Sequence, residues 1–234
     1  MKSYSKCSEF YHRGGVISNH FGLRVVKHAV EKFILMHLKG GRIKPDLHSC
    51  LLSAIAKENQ SENLIEAQMK KYMNKSVIWL QNFNKIFPFD KYEPITARIE
   101  PRAIISKTPI DVEISGIFRS LKNKTLHAIT FASYSGRHSA LNDPSTVLKL
   151  KLLQPYVKKH IQSNRPQVLL HIFGYGKNHN IKYYSFSSNE IKESAIERIK
   201  DMVKLMEYGY HFPVTPCMHK CPFKQNCYPM IQDD

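Results

Sequence analysis

Cys217-Met-His-Lys-Cys221-Pro-Phe-Lys-Gln-Asn-Cys227 sets three cysteines in one short loop, spaced C-x3-C-x5-C, and Cys7 stands near the opposite end of the chain. Three thiols this close together point to a metal, because a metal gathers several soft donors on one point. A 4Fe–4S cluster takes four cysteine thiolates. A zinc site takes four Cys or His ligands in a tetrahedron, and His211 or His219 would be at hand to complete one. Closure through Cys7 would join the two ends of almost the whole chain. Metal binding would then remove much of the unfolded chain's entropy.

At 234 residues the chain is long enough for one substantial core. Its 35 Lys and Arg against 19 Asp and Glu give a formal net charge of +16. An excess of that size predicts a polyanionic partner, nucleic acid first, bound through phosphate contacts and counterion release. The five cysteines are odd in number and are not spread as a disulfide framework. The opening MKSYSKCSEFYHR lacks the apolar run of a signal peptide. No stretch approaches the ~18 apolar residues of a membrane span. These features predict a cytoplasmic protein without membrane partners, in which thiols stay free for metal. Abundant Lys and Asn fit an AT-rich genome, such as that of a phage or virus acting in its host's cytoplasm.

Working outward from the loop, the rest of the chain alternates between two periods. Residues 21–38 read as a helix with Leu23, Val26, Val30 and Phe33 on one face, ended by Gly40-Gly41. Residues 47–58 read as a short helix. Residues 61–87 read as a long amphipathic helix with Leu64, Ile65, Tyr72, Trp79, Phe83 and Ile86 inward, stopped by Pro88. Residues 97–105, 111–119 and 125–134 are rich in β-branched types and read as strands. Asp143-Pro144-Ser145 opens a helix to about 160, with Pro155 expected to kink or restart it. Strands follow at 167–175 and 181–187. Ser188-Asn189-Glu190 caps a last helix to about 208. The prediction is a single α/β domain over 1–234: a mixed sheet flanked by helices, a helical insertion at 40–90 and the cysteine loop at 209–234. Cys50, followed by Leu51 and Leu52, reads as a buried apolar residue.

This order of elements, with Cys7 ahead of the first helix and Cys217, Cys221 and Cys227 after the last, resembles the iron–sulfur branch of the PD-(D/E)XK nucleases. That branch includes RecB-like and CRISPR-adaptation exonucleases. The resemblance runs over residues 4–228. It implies a restriction-endonuclease-like fold and a 4Fe–4S cluster on Cys7, Cys217, Cys221 and Cys227, joining the C-terminal loop to the N-terminus. Zinc is the alternative occupant.

The catalytic motifs of that family are degenerate here. The resemblance implies a His on the first helix, and His28 in Gly22-Leu-Arg-Val-Val-Lys-His28 fits. Glu100 matches a glutamate that often precedes the second motif. The second motif, Gly-x-x-Asp, finds its best match in Gly116-Ile-Phe-Arg119, with Arg119 in place of the acid. The third, Asp-x-Lys, finds Thr130-Phe-Ala132. The Gln/Tyr helix finds Leu152 and Tyr156. An arginine repels Mg²⁺ and an alanine supplies no charge, so the metal-binding chemistry that hard carboxylate ligands provide is missing. Asp111 and Glu113, two apart and read as one strand, could share a face and hold a cation.

The expectation is therefore a non-cutting, nuclease-like protein that binds single- or double-stranded DNA. It would act as a subunit or adaptor of a larger complex for replication, recombination, transcription or packaging. Arg119 would grip phosphate directly, with bidentate geometry. Lys122, Lys124, Arg137, Lys149 and Lys151 would assist, and Tyr156, Tyr134 and Phe131 would stack on bases. One alternative is an active Mg²⁺- or Mn²⁺-dependent exonuclease using Glu100, Asp111, Glu113 and His28. Another is a basic protein-interaction module.

Overall fold

A computed structural model describes residues 21–40, 46–62, 66–105, 107–123, 125–132, 134, 136–160, 168–175 and 180–207. Cys7, Cys217, Cys221, Cys227 and Lys124 lie outside the described residues, as does the side chain of Tyr156.

Helix α1 (Phe21–Leu38) forms because apolar side chains recur at helical spacing. It buries Leu23, Val25, Val26, Ala29, Val30 and Ile34. Helix α2 (Leu47–Glu62) begins at Asp46, whose carboxylate accepts the backbone N–H groups of His48 and Ser49 at 3.2 and 2.9 Å. This capping satisfies donors that the first turn leaves open. It also holds the Asp46 carboxyl below its ordinary range. Cys50 is buried on α2, 1% exposed, with its Sγ 3.7 Å from Met36 Sδ. Helix α3 (Glu66–Ile86) sends Trp79, Leu80 and Phe83 inward and stops short of Pro88.

The strands are β1 (Tyr92–Ile99), β2 (Arg102–Ile105), β3 (Thr108–Asp111), β4 (Ile114–Ser120) and β5 (Leu126–Phe131), followed by β6 (Val168–Tyr175) and β7 (Ile181–Ser187). Helices α4 (Arg137–Leu141) and α5 (Pro144–His160) connect β5 to β6, and α6 (Glu193–Glu207) follows β7. Five strands make one mixed sheet in the order β1-β4-β5-β6-β7. Its pairs are antiparallel except β5 with β6. That parallel pair requires a crossover, and α4 and α5 supply it.

Side chains alternate across the sheet. Ile129, Phe131 and Phe173 join α1, α2 and α3 in one core, whose centre is the aromatic set Trp79, Phe83, Phe87 and Phe118. Ala128, Leu170, Ile172 and Phe186 join Leu150 and Leu153 of α5 in the other. Two glycines allow close approach. A Cβ on Gly116 would stand 2.6 Å from Ile34 Cδ1 of α1, and one on Gly174 would stand 2.7 Å from the Ala132 carbonyl oxygen.

Two expected strands are each broken. The 97–105 stretch divides at Glu100-Pro101, because Pro101 has no N–H to give the ladder. The 111–119 stretch divides at Val112-Glu113, where the Val112 N–H donates to the Pro101 carbonyl at 3.1 Å. So Asp111 ends β3 while Glu113 stands before β4, and they do not share a strand. Helix α5 runs as one element through Pro155, without the expected restart.

The described residues form two units, 21–101 with 112–191, and 102–111 with 192–207. The second unit is the β2–β3 hairpin with α6, which buries Ile199 and Val203. There the Glu207 carboxylate accepts from Thr108 Oγ1 at 2.6 Å and from the Lys107 N–H at 3.1 Å. Among the described residues, no helix is long and apolar enough to cross a membrane.

Inside the sheet's aromatic face lies a polar chain. His127 Nδ1 and His171 Nε2 are 2.8 Å apart, and His171 Nδ1 is 2.8 Å from the Tyr183 hydroxyl. Burial lowers His127 to about 4; burial, and then the charge of His127, lower His171 to about 3. Both rings are thus neutral in the fold and titrate near 6.5 once unfolded. Their contribution is complete above 6.5 and is lost as pH falls from 6.5 toward 4, by about 2 kcal/mol per ring at pH 5. Urea unfolding of the wild type from pH 7.5 to 4.5 will show this loss. His127→Phe/His171→Phe will show a shallower one.

Candidate functional site

Arg24, Lys27, His28 and Glu31 follow each other on α1 at positions i, i+3, i+4 and i+7. This spacing aligns them in one stripe beside the helix's apolar face. The stripe meets acidic side chains of two other elements. Arg24 Nε donates to Glu58 Oε2 of α2 at 2.7 Å, and His28 Nδ1 lies 2.6 Å from Glu58 Oε1. Lys27 Nζ is in direct contact with the carboxylate of Glu113, and it lies 3.9 Å from Glu31 Oε1.

The sheet register brings further groups to the same place. Ile99 pairs with Ile114, which sets Arg98 and Glu100 beside the start of β4. An Arg98 Nη2 lies 2.5 Å from Glu100 Oε1 and 3.9 Å from Glu113 Oε2. Gly116 pairs with Ile129, the last pair of the β4–β5 ladder at this end. Thr130 Oγ1 donates to the Glu113 carbonyl at 3.4 Å and accepts from Lys149 Nζ at 2.7 Å. Lys149 reaches Thr130 from α5 and is only 1% exposed. A lysine this buried is rare unless its ammonium is paired.

Burial raises Glu31 above the ordinary carboxyl range, and the nearby Glu113 charge adds to it; Lys27, the Ser115 hydroxyl and Arg98 act the other way. Burial lowers His28, and the Lys57 and Lys27 charges reinforce that against the pull of Glu58. The place where β4 begins and β5 ends is therefore a cation-filled carboxylate site. Its acids are engaged by the protein's own ammonium and guanidinium groups. Such a site can turn a cation toward an anionic oxygen more readily than it can receive a divalent metal.

The predicted site residues scatter. His28 and Glu113 belong to the stripe and its partners, and Glu100 joins through Arg98. Asp111 is held by Arg102 across the β2–β3 hairpin at 2.8 Å. Arg119 sits at the opposite end of β4 from Glu113, about 20 Å away for six residues of strand, and lies 3.5 Å from Glu93. Gly116-Ile-Phe-Arg119 therefore does not present Arg119 to Thr130; the register pairs Arg119 with Leu126 instead. Lys122 is exposed in the turn beyond Arg119, and Lys151 is exposed on α5. Arg137 donates to the Ser185 carbonyl at 2.7 Å, pairs with Glu190 and covers the Phe186 ring at 4.5 Å. Phe131 is buried in the core, and the Tyr134 hydroxyl meets Thr146 Oγ1 at 3.3 Å.

Sequence reasoning missed Arg24, Lys27, Glu31, Glu58 and Ser115. The one available signal was the stripe itself, four polar residues at helical spacing inside an apolar run.

No family model matches the chain, and no curated protein matches it. Among solved structures, the crystal structure of SSO0001 aligns with 85% of this chain and 83% of its own, at 7% identity and a TM-score of 0.28. A likeness that low carries no argument here.

Glu31 offers a direct check on the site's electrostatics. Its folded pKa is raised, so the stability it lends is present in acid and is lost as pH rises through that value. Glu31→Gln will therefore be more stable than the wild type at pH 8, and the difference will shrink at pH 4.5. Thermal melts at the two pH values decide this.

Proposed function

We propose that the protein is a restriction-endonuclease-like, DNA-binding protein that grips the phosphate backbone without cutting it. One observation carries this reading. At the end of the sheet where β4 begins and β5 ends, Lys27 and Arg98 face Glu113, and Lys149 is buried against Thr130. The carboxylates gathered there, Glu113 and Glu31, are engaged by the protein's own ammonium and guanidinium groups, which favours gripping an anion over holding the divalent metal a nuclease needs.

The sheet supports the nuclease-like part of the reading. A helix, three strands paired antiparallel in the sheet, a helical crossover and a parallel strand follow the order expected of that fold. The charge of +16 supports a polyanionic partner, with exposed Lys122 and Lys151 as contacts. The iron–sulfur part rests on the spacing of Cys7, Cys217, Cys221 and Cys227. The cluster would be structural, and the protein would serve a larger DNA-processing or transcription complex in the cytoplasm.

The relocated-nuclease reading is weaker. Of its three acids, Asp111 is bound to Arg102 and Glu100 to Arg98, and Glu113 faces Lys27.

Anaerobically purified full-length protein, mixed with end-labelled single- and double-stranded DNA with and without Mn²⁺, tests the proposal. Retardation without cleavage is expected, with affinity falling steeply with salt and a log–log slope reporting several phosphates. Lys122→Ala/Lys151→Ala will lower affinity and flatten the slope. Mn²⁺-dependent cleavage that survives repurification would overturn the non-cutting part. An absence of retardation at low salt would overturn DNA binding and favour an acidic protein partner.

A further inference from the structure

We infer that Lys27 fills, with its own ammonium, a divalent-cation site formed by Glu31, Glu113 and Ser115, and that removing this side chain opens the site to Mn²⁺ or Mg²⁺. The inference rests on the cation-filled site proposed above and goes beyond it. It assigns the site a specific internal occupant and predicts what replaces it.

Three observations meet at this point. First, the two carboxylates come together from different elements, Glu31 from α1 and Glu113 from the start of β4, close enough for each charge to bear on the other. Like charges at short range are costly unless a cation lies between them. Second, Lys27 supplies that cation, in contact with Glu113 and 3.9 Å from Glu31. The longer distance exceeds a hydrogen bond, so the ammonium serves one carboxylate well and the other only through its charge. Third, the site keeps unspent oxygen donors. Glu31 is 6% exposed and Ser115 1% exposed, and neither Glu31 Oε1 nor Ser115 Oγ makes a hydrogen bond of ordinary geometry. Ser115 Oγ faces Glu31.

Buried polar atoms without partners are uncommon and ask for a reason. Two hard carboxylates and a hydroxyl on one point are the donor set of Mg²⁺ or Mn²⁺, with water completing the shell. Lys27 carries one charge, and Arg98 lies 3.9 Å from Glu113 and serves Glu100 more closely. Glu31 is raised first by its burial, and the Glu113 charge adds to that.

The experiment uses the full chain and Mn²⁺ alone, without DNA, so its outcome is independent of whether the protein binds nucleic acid. Free Mn²⁺ is followed by its electron paramagnetic resonance signal, and melting temperature is followed in parallel. Lys27→Met is expected to bind one Mn²⁺ roughly tenfold or more tightly than the wild type, and to gain a Mn²⁺-dependent rise in melting temperature. Lys27→Met/Glu113→Gln is expected to lose both gains. If Lys27→Met fails to fold, Lys27→Gln keeps a hydrogen-bonding head toward Glu113 and carries the same readouts. A folded Lys27 variant with no gain in Mn²⁺ binding would overturn the inference. So would a wild type that binds Mn²⁺ at this site as tightly as the variant, or a gain that survives Glu113→Gln.

Discussion

A lysine ammonium held between two carboxylates, where α1 lies against the start of β4, is the interaction on which this site depends. Glu31 is buried and Glu113 half-buried. Neither could stay charged beside the other without compensation. Lys27 provides it, with Arg98 in support. The acids of the site are thereby committed to the protein's own cations.

The surrounding structure makes that commitment possible. Pro101 ends β1 by removing a ladder donor, and the chain returns through the β2–β3 hairpin to begin β4. This places Glu113 beside β1 and Arg98. Gly116 lets α1 approach, with Ile34 seated where a side chain would otherwise stand. On the other face of the sheet, Lys149 is carried in by α5 and tied to Thr130, whose hydroxyl also reaches the Glu113 carbonyl. Packing on both faces thus fixes the same short stretch of backbone. The two histidines within the aromatic core are a separate matter. One nitrogen of each ring meets the other, His171 also reaches the Tyr183 hydroxyl, and both rings are neutral because the core around them is apolar.

Much of the architecture was legible in the chain. The period of α1, the inward run Trp79–Phe83 of α3 and the β-branched strands β4, β5, β6 and β7 each follow from local pattern. The break at Pro101 was also there to be read, since a proline has no N–H for a ladder; the break at Val112-Glu113 was not, because only pairing shows where that ladder ends. Strand register is likewise absent from a single sequence. Arg119 therefore seemed to occupy the site, although it lies at the other end of β4 and faces Glu93. His28 and Glu113 were legible as candidates because their residue types stand out. Glu31 and Lys27 were not, since charged residues on a helix usually mark its solvated face. Their burial depends on β4 arriving opposite, which is a tertiary fact.

The central claim is that Lys27 and Glu113 stabilise each other at this site rather than merely lying close. A double-mutant cycle with Lys27→Met, Glu113→Gln and the double variant, measured by urea unfolding at pH 7, tests it most directly. A coupling of about 1–3 kcal/mol is predicted, with each single variant leaving a partly buried charge unpaired. Additive effects of the two substitutions would contradict the account.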